Sequence, residues 1–266
     1  MKKSGITSKA FVILALVFLY TPIVVLMVMS FNSSRYNQLP FEFSLQWYQD
    51  FFQNSVLIQA AINSLLIAAV TGVICVILAT LLVLGSQALS GRLKNYVQTF
   101  MLMPLTIPWL IMGISILLMI RALDFDKNLF FVLAGHTVIA LPYSVLVLQA
   151  RMQSMDPALE EASGSLGANV MTTFRRITLP VLAPAMVAGG FLSFMISFDN
   201  FVISYFLLPS GFSPLPIEIQ SSIKFGFTPE INAVSTIIIG ISLLCLAIVG
   251  LIMGSSIKSI FGKKEA

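Results

Sequence analysis

Long apolar stretches alternating with short polar ones organise this chain. Runs without formal charge cover residues 10–34, 51–91, 95–120 and 231–257, while 128–150 carries only His136 and 177–217 only Asp199. A helix crosses a bilayer with about 20 predominantly apolar residues. Trimmed at their polar edges, the runs predict six spans, at roughly 10–31, 60–84, 98–120, 129–150, 181–208 and 232–256. Pro40, Pro209, Pro214, Pro216 and Pro229 punctuate the connections. No period of 20–50 residues recurs, so the pattern predicts one all-α transmembrane domain over 1–266, with one long polar connection at 151–180. The start, Lys2-Lys3 and the apolar run behind it, is too long for a signal peptide and lacks a small-residue cleavage site, so it reads as a retained first helix.

Composition removes alternatives. The chain is 58% apolar and 10% charged, with mean hydropathy +0.95. A soluble domain carries about 25% charged residues, so the solvent here is a bilayer. The net charge of +4 is spread over segment ends, which argues against a nucleic-acid surface. Its distribution predicts orientation instead. With the N-terminus inside, Lys2, Lys3, Lys9, Arg92, Lys94, Arg151, Arg175, Arg176, Lys258, Lys263 and Lys264 fall on the inner side, 11 of the 15 basic residues. Arg35, Arg121, Lys127 and Lys224 fall outside. Basic residues gather on the cytoplasmic side, so both termini and the 151–180 connection are expected there. Cys75 and Cys245 lie in apolar runs and read as packing residues. No metal-ligand spacing, phosphate loop or nucleophile-base pair is present, which points away from an enzyme and from any cofactor.

The 151–180 connection has its own local logic. Asp156-Pro157 followed by Glu160-Glu161 reads as a helix start, with a capping Asp, Pro in the first turn and acids at the positive dipole end. Gly164 and Gly167 then permit a tight stop, and Arg175-Arg176 precede the next span at Leu179-Pro180. The result is a short surface helix, a turn and a return helix, a shape suited to docking; the plain alternative is an ordinary amphipathic loop helix.

Within the spans, Asp199 is the outlier. An ionisable group in a membrane costs several kcal/mol unless it faces a cavity or a partner. Counted from Val181 at about 1.5 Å per residue, it falls in the outer half of the bilayer, where it suits a translocation path; the alternative is a structural pair with a neighbouring helix. Pro104 and Pro108 bend the third span and free carbonyls to line a cavity, unless the kink serves packing alone. Trp109 offers a ring face to a cation. His136 and Tyr143 share the fourth span, and His136 reads first as a hydrogen-bonded packing group. Gly250 and Gly254 form a weak close-packing signal.

The run Glu160-Glu161-Ala162-Ser163-Gly164-Ser165-Leu166-Gly167-Ala168, followed by Phe174, Ile177 and Leu179-Pro180, resembles the EAA loop of ABC-importer permeases of the MetI-like, type I family. Ser163 stands where that family usually has a second Ala. Ser30-Phe31-Asn32-Ser33-Ser34, Trp47-Tyr48 and Pro229-Glu230-Ile231-Asn232-Ala233 are similar to segments of the spermidine/putrescine permeases, of the second, PotC type. The resemblance covers nearly the whole chain. It implies a non-catalytic channel subunit in a prokaryotic inner membrane, completed by a homologous second permease. Two copies of a cytoplasmic ATP-binding subunit would grip Glu160, Glu161, Ala162, Ser163, Gly167 and Ala168, and an external binding protein would deliver a polyamine. The substrate path would involve Asp199, Asn200, Trp109 and Tyr143. Two departures favour another small organic solute: Asn200 and Trp109 stand where polyamine permeases carry acids. An ion-coupled secondary transporter is the rival from another class, but it commonly shows internal repeats and several intramembrane charges.

Overall fold

The computed structural model describes residues 6–34, 38–225 and 230–261. Arg35, Pro229 and the terminal lysines Lys2, Lys3, Lys263 and Lys264 lie outside the described residues, as do the side chains of Cys245, Gly254 and Lys258. Among the described residues the chain is helical, apart from one isolated bridge between Asn32 and Phe43. It divides into two compact units, Met1–Gln59 with Glu218–Ala247, and Ala60–Ile217 with Ile248–Ala266.

In the first unit, α1 (Ile6–Met29) is apolar on every side, and none of its stretch Lys9–Met29 is buried. Such a helix belongs in lipid or against another chain. The segment behind it is closely tied. The Asn32 side chain donates to Gln38 O at 2.8 Å and accepts from Glu42 N at 3.1 Å, and Trp47 Nε1 donates to Asn32 O at 2.7 Å. Ser30 Oγ and Tyr48 OH lie 2.7 Å apart, and Phe31 stacks on both Phe43 and Tyr48. The Ser-Phe-Asn-Ser-Ser and Trp-Tyr segments are therefore one built turn, closed by α2 (Gln46–Gln53).

The second unit carries the packed core. α3 (Ser55–Gln87), most of which belongs to this unit, starts on Asn54 of the first, whose Oδ1 accepts from Val56 N and Leu57 N. The third expected span is not one straight rod. α4 (Gly91–Leu102) continues through a 3₁₀ turn at Met103–Thr106, and α5 (Trp109–Ala122) leaves at 101°. Ile107 is extended, as a residue before proline prefers, and Pro108 has no N–H to carry the helix on. Next, α6 (Leu129–Gln153) is capped by Asn128, whose Oδ1 accepts from Phe130 N and Phe131 N.

After α7 (Ala158–Ser165) and α8 (Val170–Thr173), a π turn at Phe174–Thr178 runs into α9 (Leu179–Phe198). The fifth expected span also breaks: α9 stops at Phe198, and α10 (Phe201–Leu207) starts afresh on Asn200. α11 (Leu215–Phe225) and α12 (Glu230–Phe261) complete the chain. Among the described residues, four helices, α1 included, are long and apolar enough to cross a membrane, and a fifth counts if the bent pair is one span. α12 is a helix of 32 residues, of which Glu230–Leu244 is the apolar stretch that falls among the residues with described side chains.

The tightest pairing in this unit joins α6 to α9. Ser144 Oγ donates to Gly189 O at 2.7 Å, and Ser193 Oγ donates to Ala140 O at 2.9 Å. A Cβ on Gly189 would meet Ser144 Cα at 3.1 Å, so the backbones themselves are in contact. Small residues and hydroxyls bring membrane helices together in this way because apolar area alone gives no preference for protein over lipid. α10 packs against α5 and α6 through two glycines. A Cβ on Gly113 would lie 2.8 Å from Phe206, and one on Gly135 2.7 Å from Ile203 and 2.8 Å from Leu207. Cys75 is buried, with Sγ 3.8 Å from Thr137 O.

Candidate functional site

The 151–180 connection is a self-supporting knob. At its base, Arg151 Nε donates to Val181 O at 3.0 Å. Asp156 Oδ1 accepts from Ala158 N at 3.0 Å and starts α7, with Pro157 before it. The helix closes in a Schellman turn: Ala168 N donates to Ser163 O at 3.1 Å and Gly167 N to Gly164 O at 2.9 Å, with Gly167 at φ +84°. Only glycine adopts that angle without strain. No atom lies within 4 Å of a Cβ built there, so the backbone angle demands glycine and crowding does not.

The knob turns some of its expected coupling residues inward. Glu160 Oε1 accepts from Thr178 Oγ1 at 2.6 Å, fastening α7 to the π turn. Ser163 is buried and lies 2.8 Å from Thr173 Oγ1, so it faces α8. Glu161, Ala162 and Gly167 are exposed, and Ala168 is half-buried. The outermost side chains are apolar: Leu166 is 89% exposed, Val170 88% and Met171 56%. Sequence reasoning passed over these three, and over Thr173 and Thr178. The available signal is Leu166 and Val170, an apolar pair four residues apart on either side of the Gly167 stop.

The second candidate is the break between α9 and α10. Asp199 ends α9, its backbone N donating to Met195 O at 3.2 Å. Its carboxylate is exposed and makes no hydrogen bond or ion pair with the described residues. Asn200 is buried; its Oδ1 accepts from Ile203 N at 2.8 Å and starts α10, while its Nδ2 has no partner among the described residues. Asp199 therefore presents a carboxyl group without a partner among the described residues, and Asn200 a structural cap. Trp109 opens α5 and is 37% exposed. Tyr143, half-buried on α6, adjoins Ser144, which bonds α9 well before Asp199. Asp199 and Asn200 are neighbours at the break, while Trp109 and Tyr143 stand on α5 and α6.

An apolar groove of about 630 Å³ runs between α3 and α9, lined by Gly72, Val76, Ile77, Gly190, Phe191 and Phe194 among others. None of Asp199, Asn200, Trp109 or Tyr143 lines it, and its lining residues offer no polar or charged side chain to a solute. No cluster of metal-ligating side chains occurs among the described residues.

Over residues 76–260 the sequence matches the family described as the binding-protein-dependent transport system inner membrane component. The chain belongs to this family. It is 35% identical over 234 residues to the spermidine/putrescine transport system permease protein PotC of Haemophilus influenzae, covering 88% of this chain and 91% of that protein. The putrescine transport system permease protein PotI of Escherichia coli is 33% identical over 236 residues, covering 86% and 84%. Among solved structures, a bacterial ABC transporter involved in import of the acidic polysaccharide alginate aligns with a TM-score of 0.66 at 19% identity, over 96% of this chain and 94% of that one. The methionine transporter MetNI, in an inward-facing form, aligns with a TM-score of 0.62 at 16% identity, over 75% and 95%. The inner-membrane component thus has the importer-permease fold that its EAA-like loop implied, and it is a transport subunit.

Proposed function

We propose that this chain is the channel-forming subunit of an ATP-driven importer for polyamines. The carrying observation is its 33% to 35% identity, over most of their length, to relatives named as spermidine/putrescine and putrescine permeases. A homologous second permease completes the pore, and an external binding protein delivers the substrate. Two cytoplasmic ATPase subunits supply the hydrolysis that this chain lacks the groups to perform. The 11-to-4 bias of basic residues supports a cytoplasmic position for both termini and the 151–180 knob in a prokaryotic cell. The knob's exposed Leu166 and Val170 support a docking role for it, with Glu161, Ala162 and Gly167 at the same surface. Asp199 is the path residue of first choice, because its exposed carboxylate has no partner among the described residues. Trp109, Asn200 and Tyr143 are secondary.

The test is uptake by the complete importer in proteoliposomes. Spermidine or putrescine should accumulate only with ATP and the binding protein. Asp199→Asn, at equal complex level, should lower uptake by about tenfold or more, equivalent to ~1.4 kcal/mol. That is a fraction of the roughly 4 kcal/mol between unit charges ~4 Å apart at an effective dielectric near 20. Undiminished uptake by Asp199→Asn removes Asp199 from the path. Accumulation of a different organic solute in place of polyamine favours the second reading, which rests on Trp109 and Asn200 standing where acids are expected.

A further inference from the structure

One buried group lies outside both candidate sites. His136, 1% exposed on α6, has Nδ1 2.8 Å from Ser197 Oγ and Nε2 3.0 Å from Ser204 Oγ. Ser197 belongs to the last turn of α9 and Ser204 to α10. One imidazole therefore holds both sides of the break, with Asp199 and Asn200 between its two partners. A neutral imidazole has one donor and one acceptor, and a serine hydroxyl can be either, so both bonds form whichever nitrogen carries the proton. Gly135 makes the reach possible: with no side chain there, Ile203 and Leu207 press against the α6 backbone and bring Ser204 to the ring.

We infer that His136 is a positioning residue for transport, a strap that fixes the angle between α9 and α10 and thereby the direction of the Asp199 carboxylate. A space-filling role needs only an apolar side chain of similar volume. Bonds from opposite edges of one ring to helices on opposite sides of an interruption set an orientation as well. At the break itself the backbone continuity of α9 is lost, and among the described residues the only other side-chain bond there is the Asn200 cap, which is internal to the start of α10. The angle between the two helices thus depends on packing and on this strap.

The role in transport rests on the reading that Asp199 faces the path, so the test separates the two claims. In the complete importer, with Cys75 and Cys245 replaced by Ala, Asp199→Cys is labelled by a water-soluble thiol reagent. Adding His136→Ala should change the labelling rate severalfold. His136→Gln, whose amide offers both a donor and an acceptor, should return it towards the parent rate. Ser197→Ala with Ser204→Ala should reproduce the His136→Ala result, and it serves as the main variant if His136→Ala does not accumulate. In the importer with Asp199 intact, His136→Ala should lower polyamine uptake by about tenfold or more, since a misplacement of 1 Å at a reacting group can cost on the order of 100-fold. His136→Gln should recover part of it, and His136→Ala should add little in an Asp199→Asn background. An unchanged labelling rate in both the His136 and the double serine variants overturns the strap. So does a loss of uptake that is fully additive with Asp199→Asn. Normal uptake by Asp199→Asn together with altered labelling keeps the strap and rejects the path assignment.

Discussion

Two interruptions in the second unit use the same local device in opposite surroundings. Asn169 begins α8 by accepting from Thr172 N at 2.8 Å, and Asn200 begins α10 by accepting from Ile203 N at 2.8 Å. Asn169 is exposed, so water satisfies its spare amide hydrogens. Asn200 is 1% exposed, and its Nδ2 has no partner among the described residues. A buried donor left unpaired costs about 1–3 kcal/mol. The exposed turn is therefore inexpensive to hold and shows apolar side chains outward, while the buried one is held against a standing penalty. A docking surface should respond to changes in what it presents, and a buried hinge to changes in its hydrogen bonds.

The sharpest way to break this comparison is at the knob's tip. Leu166→Glu with Val170→Glu should reduce ATPase co-purification by tenfold or more, about 1.4 kcal/mol or above, with the permease level unchanged. Retention of the ATPase would deprive the exposed apolar pair of its role. Gly167→Val comes next. Its positive φ costs a β-branched residue about 1 kcal/mol or more, and the open space around it predicts no added clash. Substrate-stimulated ATP hydrolysis should fall severalfold, while the unfolding midpoint drops by only the few degrees that such a cost implies.

At the buried break, Asn200→Ala should cost about 1–2 kcal/mol: it removes the unpaired Nδ2 but leaves Ile203 N buried without its acceptor in exchange, so the lost cap bond is not offset. The unfolding midpoint in detergent should drop by roughly 2–4 °C per kcal/mol. Asn169→Ala, in water, should cost about 0.5–1 kcal/mol; equal losses at the two sites would erase the distinction. The smallest effect belongs to Ser163→Ala. It removes one hydroxyl pair, worth about 1 kcal/mol or less, and places alanine where the resembling loops usually have it. A large loss of ATPase binding there would mean that Ser163 contacts the partner and not only Thr173.

What was legible in the sequence followed from backbone rules. Pro104 and Pro108 announced a bend, although the 101° angle depends on what each limb packs against. Asp156-Pro157 and Gly167 announced the start and end of α7, because caps and positive φ are local requirements. The break at Asp199–Asn200 was missed, since the run on either side is uniformly apolar and hydropathy cannot register a change of direction. A closer reading had one cue, an Asn three residues before Ile203 in the middle of an apolar run. His136 was read as a hydrogen-bonded packing group, and it is hydrogen-bonded. That its two partners lie 61 and 68 residues away, on different helices, is a property of the tertiary fold that periodicity does not encode. Glu160 and Ser163 look alike in sequence to residues that face a partner, and only the return of the chain through Thr173 and Thr178 turns them inward.

The notch at Gly135 ties three positions into a single quantity. A methyl there would stand 2.7 Å from Ile203 and 2.8 Å from Leu207, so volume gained on α6 must be given up on α10. Randomising positions 135, 203 and 207 together should yield working chains only along a line of nearly constant summed size, with Ala at 135 accompanied by a trimmed residue at 203 or 207. Selected one at a time, the three sites would each look intolerant. Selected jointly, they would behave as one variable spelled with three letters.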